Sequence, residues 1–411
     1  MTATAAAPAL RSDAVVIGLV CIGHFMSHFY ALVVPPIFFL MREEFGVGYA
    51  AMGLATTMFY VASGLLQIPA GFLVDRLGGK TVLVGGLAFI SAGTLLIGFA
   101  PSYPLLLAAF MIAGAGNSVF HPADMALLNA RIDPTRLGHA FSMHAVSGNL
   151  GWVAAPAFSV AIATAFGWRA AMIAAGAIGL VVMLLVAFHG ALGNVALKAA
   201  ARGPEAVPAD LPGSQPGLRA DLRLLVSIPV LTCFFFFVFS SVTTVGLQTF
   251  SIPAMVALYA LPLTLAAGTL TAYLLGGVAG TLAGGFIASR THRHDAAAIT
   301  GVLVAMLFVL ALASGTLPQA LLVLFMASAG FFVGSVNPSR DIIVREVTPA
   351  HARGKVYGFV YSGLDLGSAV GPPLVGALLD GGHPRLVFVA SAGALLLCAA
   401  TMFLLVRAQR S

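Results

Sequence analysis

Runs of apolar residues recur along the whole chain, each closed by charged residues or by a cluster of proline and glycine. About 20 residues at 1.5 Å rise span a hydrocarbon core of ~30 Å, and the runs reach that length. The breaks predict twelve membrane-spanning helices, over residues 14–38, 49–73, 80–100, 103–127, 138–162, 168–190, 224–249, 257–286, 297–315, 318–342, 354–379 and 385–407. One long polar stretch, 191–223, is rich in Pro, Gly and charge and reads as a linker. The expected organisation is therefore an N-terminal six-helix half (1–190), a cytoplasmic linker (191–223) and a C-terminal six-helix half (224–411).

Composition agrees with a polytopic membrane protein. Of 411 residues 60% are hydrophobic and 8% charged, against roughly 25% charged in soluble domains. The net charge of +6 would suit nucleic acid, but the positions of the basic residues argue otherwise. With the N-terminus inside, all but Arg42, Arg169 and Arg385 of the 20 Lys and Arg fall in cytoplasmic segments, among them Arg11, Lys198, Arg202, Arg219, Arg353, Lys355 and Arg410. The basic charge is a topology signal, placing both termini in the cytoplasm of a bacterial inner membrane, and no nucleic-acid partner is expected. Cys21, Cys233 and Cys398 are isolated within apolar runs and read as buried hydrophobes. "MTATAAAPALRSD" carries no cleavage site, so the first helix is expected to be its own insertion signal.

The chain also repeats itself. "GFLVDR" (71–76) returns as "GFIASR" (285–290), an offset of 214. An offset of 216 matches Pro122 with Pro338, Gly138 with Gly354, Gly151 with Gly367, Pro156 with Pro372 and Arg169 with Arg385. Glycine and proline mark positions where backbone geometry is fixed, so they persist where side chains drift. Two like halves joined by a linker is a transporter plan, with a substrate site expected near the midplane.

"GFLVDRLGGKTVL" (71–83) resembles the loop signature of the major facilitator superfamily, G-x-L-x-D-R-x-G-x-K/R. The resemblance covers nearly the whole chain and implies an all-α membrane fold with twelve transmembrane helices in two pseudo-symmetric six-helix halves. It also implies a cytoplasmic gate at Gly71, Asp75, Arg76, Gly78 and Lys80, with Asp75 facing the start of the eleventh span. The second copy has Ser289 where Asp75 stands in the first, so such a lock would be asymmetric. Within the superfamily, "GHFMSHFYALVVPPIFFLMREEFG" (23–46), "NSVFHPAD" (117–124) and "QTFSIPAMV" (248–256) look most like fosmidomycin-resistance-type drug exporters. His28 stands where those relatives usually carry Asp. The antiporter Arg of the fourth span is replaced by Phe110, and the fifth-span glycine–proline motif survives only as "GNLGWVAAP" (148–156).

Charged groups in hydrocarbon are costly and usually serve function. Asp365 lies near the middle of the eleventh span and suits a proton carrier or a structural carboxylate paired across helices; its repeat counterpart is Asn149. His24 and His28, four apart on one face of the first span, suit proton relay or contact with an anionic group. A neutral histidine bonded to a neighbouring helix is the competing reading. The pair also resembles half a metal site, but no third ligand is identifiable and no metal is expected. Asp124 is expected to pair with Arg76 and hold the inward gate. Tyr30, Asn117, His121, His144, Asn149, Gln248, Asn337 and Arg340 complete the candidate substrate-cavity residues. "GGVAGTLAGG" (276–285) places small residues at helical spacing for close helix approach.

The expectation is a secondary active transporter, not an enzyme: no catalytic set can be assembled, and no cofactor beyond a proton gradient is called for. Its partners would be a small-molecule substrate, protons and the bilayer, and it would act as a monomer. Proton-coupled efflux, proton-coupled import of an organic anion or nutrient, and a non-transporting receptor or scaffold all stand open at this point.

Overall fold

The computed structural model describes residues 3–133, 135–192, 223–349 and 353–410. Among them there is no strand. The helices are α1 (Ala3–Val33), α2 (Phe38–Phe45), α3 (Tyr49–Leu77), α4 (Gly79–Phe99), α5 (Tyr103–Asn117), α6 (Phe120–Arg131), α7 (Leu137–Phe166), α8 (Trp168–Phe188), α9 (Ile228–Tyr259), α10 (Leu263–Ala288), α11 (His294–Ala313), α12 (Gln319–Val347), α13 (Arg353–Asp380) and α14 (Pro384–Arg410). Eleven stretches are long and apolar enough to cross a membrane, α1 with α2 and α5 with α6 each making one. α13 has the length, 28 residues, but Asp365, its serines and paired Pro372–Pro373 dilute its apolar run. With α13 the spans number twelve, as expected. Of the linker, residues 193–222 lie outside the described residues, and with them Lys198, Arg202 and Arg219.

A large boundary difference is in the seventh span. The sequence reading ends it at 249, whereas α9 continues to Tyr259 with Pro253 inside it. Proline breaks helices in water, but in a membrane bundle neighbouring groups can satisfy the freed carbonyl, so the helix runs on. Gly78, the lone residue between α3 and α4, takes φ 85° and ψ 147°, a region closed to side chains. The loop signature therefore has a geometric content: its glycine makes the turn. Lys80, just past it, donates to the His189 carbonyl at 3.1 Å, and Asp75 and Arg76 are exposed.

The described residues form two compact units, one drawn from 1–34 and 58–212 and the other from 35–57 and 213–411. In the first, α1 packs on α7, and α4 packs on α5 and α8. In the second, α9 packs on α13, and α11 on α12 and α14. Counted as spans, the first lies on the fifth and the third on the fourth and sixth in both units. The internal repeat thus has a physical cause. A Cβ at Gly151 would meet the carbonyl oxygen of Phe25, and one at its counterpart Gly367 the carbonyl oxygen of Val238. Gly114 against Phe59 and Gly330 against Tyr273 form a second matched pair. These are positions where two helix backbones touch.

Residues 49–57, the first turns of α3, belong to the second unit because α13 holds them. Asp380 accepts from the backbone N–H groups of Tyr49 (2.6 Å) and Ala50 (2.9 Å), satisfying two of the free donors that begin a helix. Thr57 Oγ1 donates to the Ala369 carbonyl at 2.5 Å, and Gly53 abuts the backbone of Pro372. Arg169, one of the basic residues expected outside, donates to the carbonyls of Gly98 and Ala100, both at 2.9 Å. It serves the last carbonyls of α4. Around the units, Leu65, Ile68, Phe72, Phe166 and Phe188 lie exposed, an apolar surface that suits lipid.

Candidate functional site

Three elements of the first unit bring their polar residues to one place. α1 presents His24, Ser27 and His28; α7 presents His144, Gly148 and Trp152 at intervals of four, hence on one face. The third contributor depends on a break. α5 ends at Asn117, and α6 begins at Phe120 with Pro122 in its first turn, where a missing N–H costs nothing. α6 carries His121 and Asp124.

Asp124 is fully buried, as are His24 (3% exposed) and His144 (5%). His144 Nε2 hydrogen-bonds Asp124 Oδ2 at 3.0 Å. His24 Nδ1 stands 3.2 Å from the same oxygen, but off the direction a hydrogen bond requires, and makes none. The two imidazoles stack with centroids 3.5 Å apart. His28 lies 4.5 Å from His24 and 4.2 Å from the Trp152 ring. His121 lies 5.4 Å from His24 and remains exposed. A Cβ on Gly148 would stand 2.8 Å from His24 Nε2 and 2.9 Å from His28 Cε1, so only glycine leaves room for both rings. Beside the cluster, Ser27 Oγ donates to Asn117 Oδ1 (2.7 Å) and Asn117 Nδ2 to Ser63 Oγ (3.0 Å).

Four of the residues singled out in the sequence therefore meet: His24, His28, His121 and His144. Asp124 joins them, which corrects two expectations. It does not pair with Arg76, which is exposed while Asp124 is buried; burying a lone carboxylate beside apolar residues is costly, and the imidazoles supply its polar contacts. The third neighbour that the sequence does not reveal for the pair His24 and His28 also exists, for His24. Trp152 and Ser63 escape the sequence reading, although the 144–148–152 spacing marks the face.

Other candidates stand apart. Tyr30 is 3% exposed, with its hydroxyl donating to the Ala175 carbonyl (2.9 Å) and lying 3.1 Å from Ser91 Oγ, so it ties α1 to α4 and α8 instead of lining a cavity. Tyr30→Phe is expected to cost about 1 kcal/mol in thermal unfolding and leave transport unchanged; lost transport in a stable variant would return Tyr30 to the substrate path. Asn149 Nδ2 donates within its own helix, to the Ala145 carbonyl. In the second unit Arg340 Nε donates to Asp341 Oδ1 (3.0 Å) and its guanidinium covers the Phe237 ring at 4.3 Å. Tyr361 donates to that same oxygen. Gln248 is buried in α9, Asn337 is half-buried in α12, and Asp365 is exposed on α13 with no hydrogen bond or ion pair among the described residues.

The Major Facilitator Superfamily profile matches residues 20–294 and 234–411. The chain belongs to this superfamily. It is 28% identical over 165 residues to the fosmidomycin resistance protein of Escherichia coli K12, 40% of each chain. Over 179 residues it is 27% identical to a probable sulfoacetate transporter of Cupriavidus necator, 44% of this chain and 42% of the relative. The chain thus spans about two fifths of the length of these curated relatives. Among solved structures, the nucleoside transporter NupG superposes with TM-score 0.75 over 95% of this chain and 99% of that one, at 14% identity. A bacterial homologue of the lysosomal transporter Spinster, inward-facing and unoccupied, gives 0.69 over 97% and 95%, at 16% identity. These two share the fold. Superfamily membership and the long apolar helices mark an integral membrane protein.

Proposed function

We propose that this protein is a secondary active transporter that works by alternating access and exports a small organic molecule in exchange for protons. The observation that supports proton coupling is Asp365. It is a carboxylate near the middle of a membrane span, exposed on its helix and without a described partner. An ion in hydrocarbon is expensive and its proton removes that cost, so taking up and releasing a proton changes which surroundings the residue tolerates. The export direction is supported by the stretches resembling drug exporters and by the fosmidomycin resistance relative. Both termini are assigned to the cytoplasm of a bacterial inner membrane, from the basic residues. The expected halves, 1–190 and 224–411, remain the proposed domains.

A second reading, proton-coupled import of an organic anion, is favoured by the four imidazoles gathered in the first unit and by relatives named for sulfoacetate and anion transport. The two differ in sign. With substrate added outside proteoliposomes carrying a lumenal pH dye, antiport draws protons out and the lumen becomes alkaline, whereas symport acidifies it. We expect alkalinisation; acidification would replace the export reading with the import one, and no pH change would remove proton coupling.

A further inference from the structure

We propose that His24, Asp124 and His144 form a binding site for a divalent first-row transition-metal ion, with Zn²⁺ as the reference ion. Each of the three residues offers one donor atom, a ring nitrogen of either histidine and an oxygen of Asp124, and these lie within 4.8 Å of one another. The two separations from Asp124 Oδ2 are 3.2 and 3.0 Å. Donors 2.0–2.2 Å from a tetrahedral zinc ion stand about 3.3–3.5 Å apart, so the present spacing is within a few tenths of an ångström of that geometry on both edges.

A second observation is independent of spacing. His24 Nδ1 and Asp124 Oδ1 are buried and make no hydrogen bond. Native interiors seldom leave such atoms unpartnered, and a place for an ion is one of the usual reasons. The carboxylate also lacks a countercharge: no Lys or Arg pairs with it among the described residues, and its contacts are imidazoles. A dication would supply the charge and occupy the free Nδ1 together.

The donor chemistry narrows the ion. Two imidazoles and one carboxylate suit Zn²⁺, Co²⁺ or Ni²⁺; Ca²⁺ and Mg²⁺ prefer all-oxygen sites, and Cu⁺ prefers sulfur. Three protein ligands leave a fourth position, as in zinc sites that keep a place for water or a substrate atom. His121 and His28 lie 5.4 and 4.5 Å from His24 by ring centroid, and His121 is exposed. The stacked rings of His24 and His144 are closer than two imidazoles on one ion, so loading must spread them. Since the donors come from α1, α6 and α7, an ion here ties three helices together. This proposal is independent of proton coupling at Asp365.

The test uses full-length protein without a histidine tag, stripped with chelator and kept in detergent. Titration calorimetry with Zn²⁺ is expected to show one equivalent bound at micromolar affinity or tighter, and Co²⁺ to give the visible bands of a four-coordinate site. His144→Ala should weaken binding at least tenfold and abolish those bands. Zn²⁺ should raise the unfolding temperature of the parent and not of the variant. If His144→Ala fails to fold, His24→Gln is judged by the same criteria. His292→Ala and His383→Ala, at exposed histidines, should bind as the parent does. No stoichiometric binding by the parent, unchanged affinity in a folded His144→Ala or His24→Gln, or loss with His292→Ala or His383→Ala would each overturn the site.

Discussion

Asp365→Asn is expected to abolish transport driven by a pH gradient while leaving the protein folded. Asparagine keeps the shape of aspartate and cannot take up or release a proton near neutrality. The substitution should be silent structurally, because Asp365 is exposed and no described neighbour bonds to its carboxylate. The contacts that seat α13 lie two residues to either side: Gly363 rests on the Phe234 carbonyl of α9, and Gly367 on that of Val238. Thermal stability should therefore stay within about 0.5 kcal/mol of the parent, the usual range for surface changes. In proteoliposomes, flux under an imposed pH gradient should fall to the level without one, while substrate exchange at equal pH persists. That split separates coupling from binding, since a merely damaged cavity would lose both. Asp365→Glu should restore part of the gradient-driven flux. Full gradient-driven flux in the asparagine variant would remove Asp365 from the mechanism.

How much of the molecule is legible in its sequence varies with the kind of information involved. Spans can be read because length and apolarity are local properties, and the reading fails where a local rule has a membrane exception, as at Pro253 in α9. The repeat is legible as a spacing of glycines, and the structure adds why: Gly151 and Gly367 each sit where a first-span backbone crosses. The site is half legible. His24 and His28 show as a polar face of one helix, but their neighbours come from α6 and α7, far along the chain. The pairing of Asp124 with His144 instead of Arg76 depends on how α6 packs on α7, which no local pattern records.

Gly280→Val is the substitution expected to damage the fold most. α10 and α12 meet along small residues: Cβ atoms at Gly276, Gly280 and Gly284 would run into the carbonyl oxygens of Ala327, Phe331 and Ser335. From the other side, Gly330 and Gly334 would run into those of Tyr273 and Gly277. Lipid tails are as apolar as leucine, so this pair gains little from hiding apolar surface and depends on close backbone approach. At Gly280 the Cβ would also stand 2.8 Å from Phe331 Cα, and a backbone cannot rotate aside as a side chain can. Valine adds two methyl groups in the same gap, so the helices must separate along several turns. A cost of about 3 kcal/mol or more follows from overpacking, a large share of the ~5–15 kcal/mol that holds a typical domain. Gly285→Val on the same helix is the control, because nothing lies within 4 Å of its Cβ position. It carries the same change in helix propensity without the collision. Purified yield and thermal unfolding should collapse for Gly280→Val and stay near the parent for Gly285→Val. Equal stability of the two would mean that α10 and α12 are not held by backbone contact at this position.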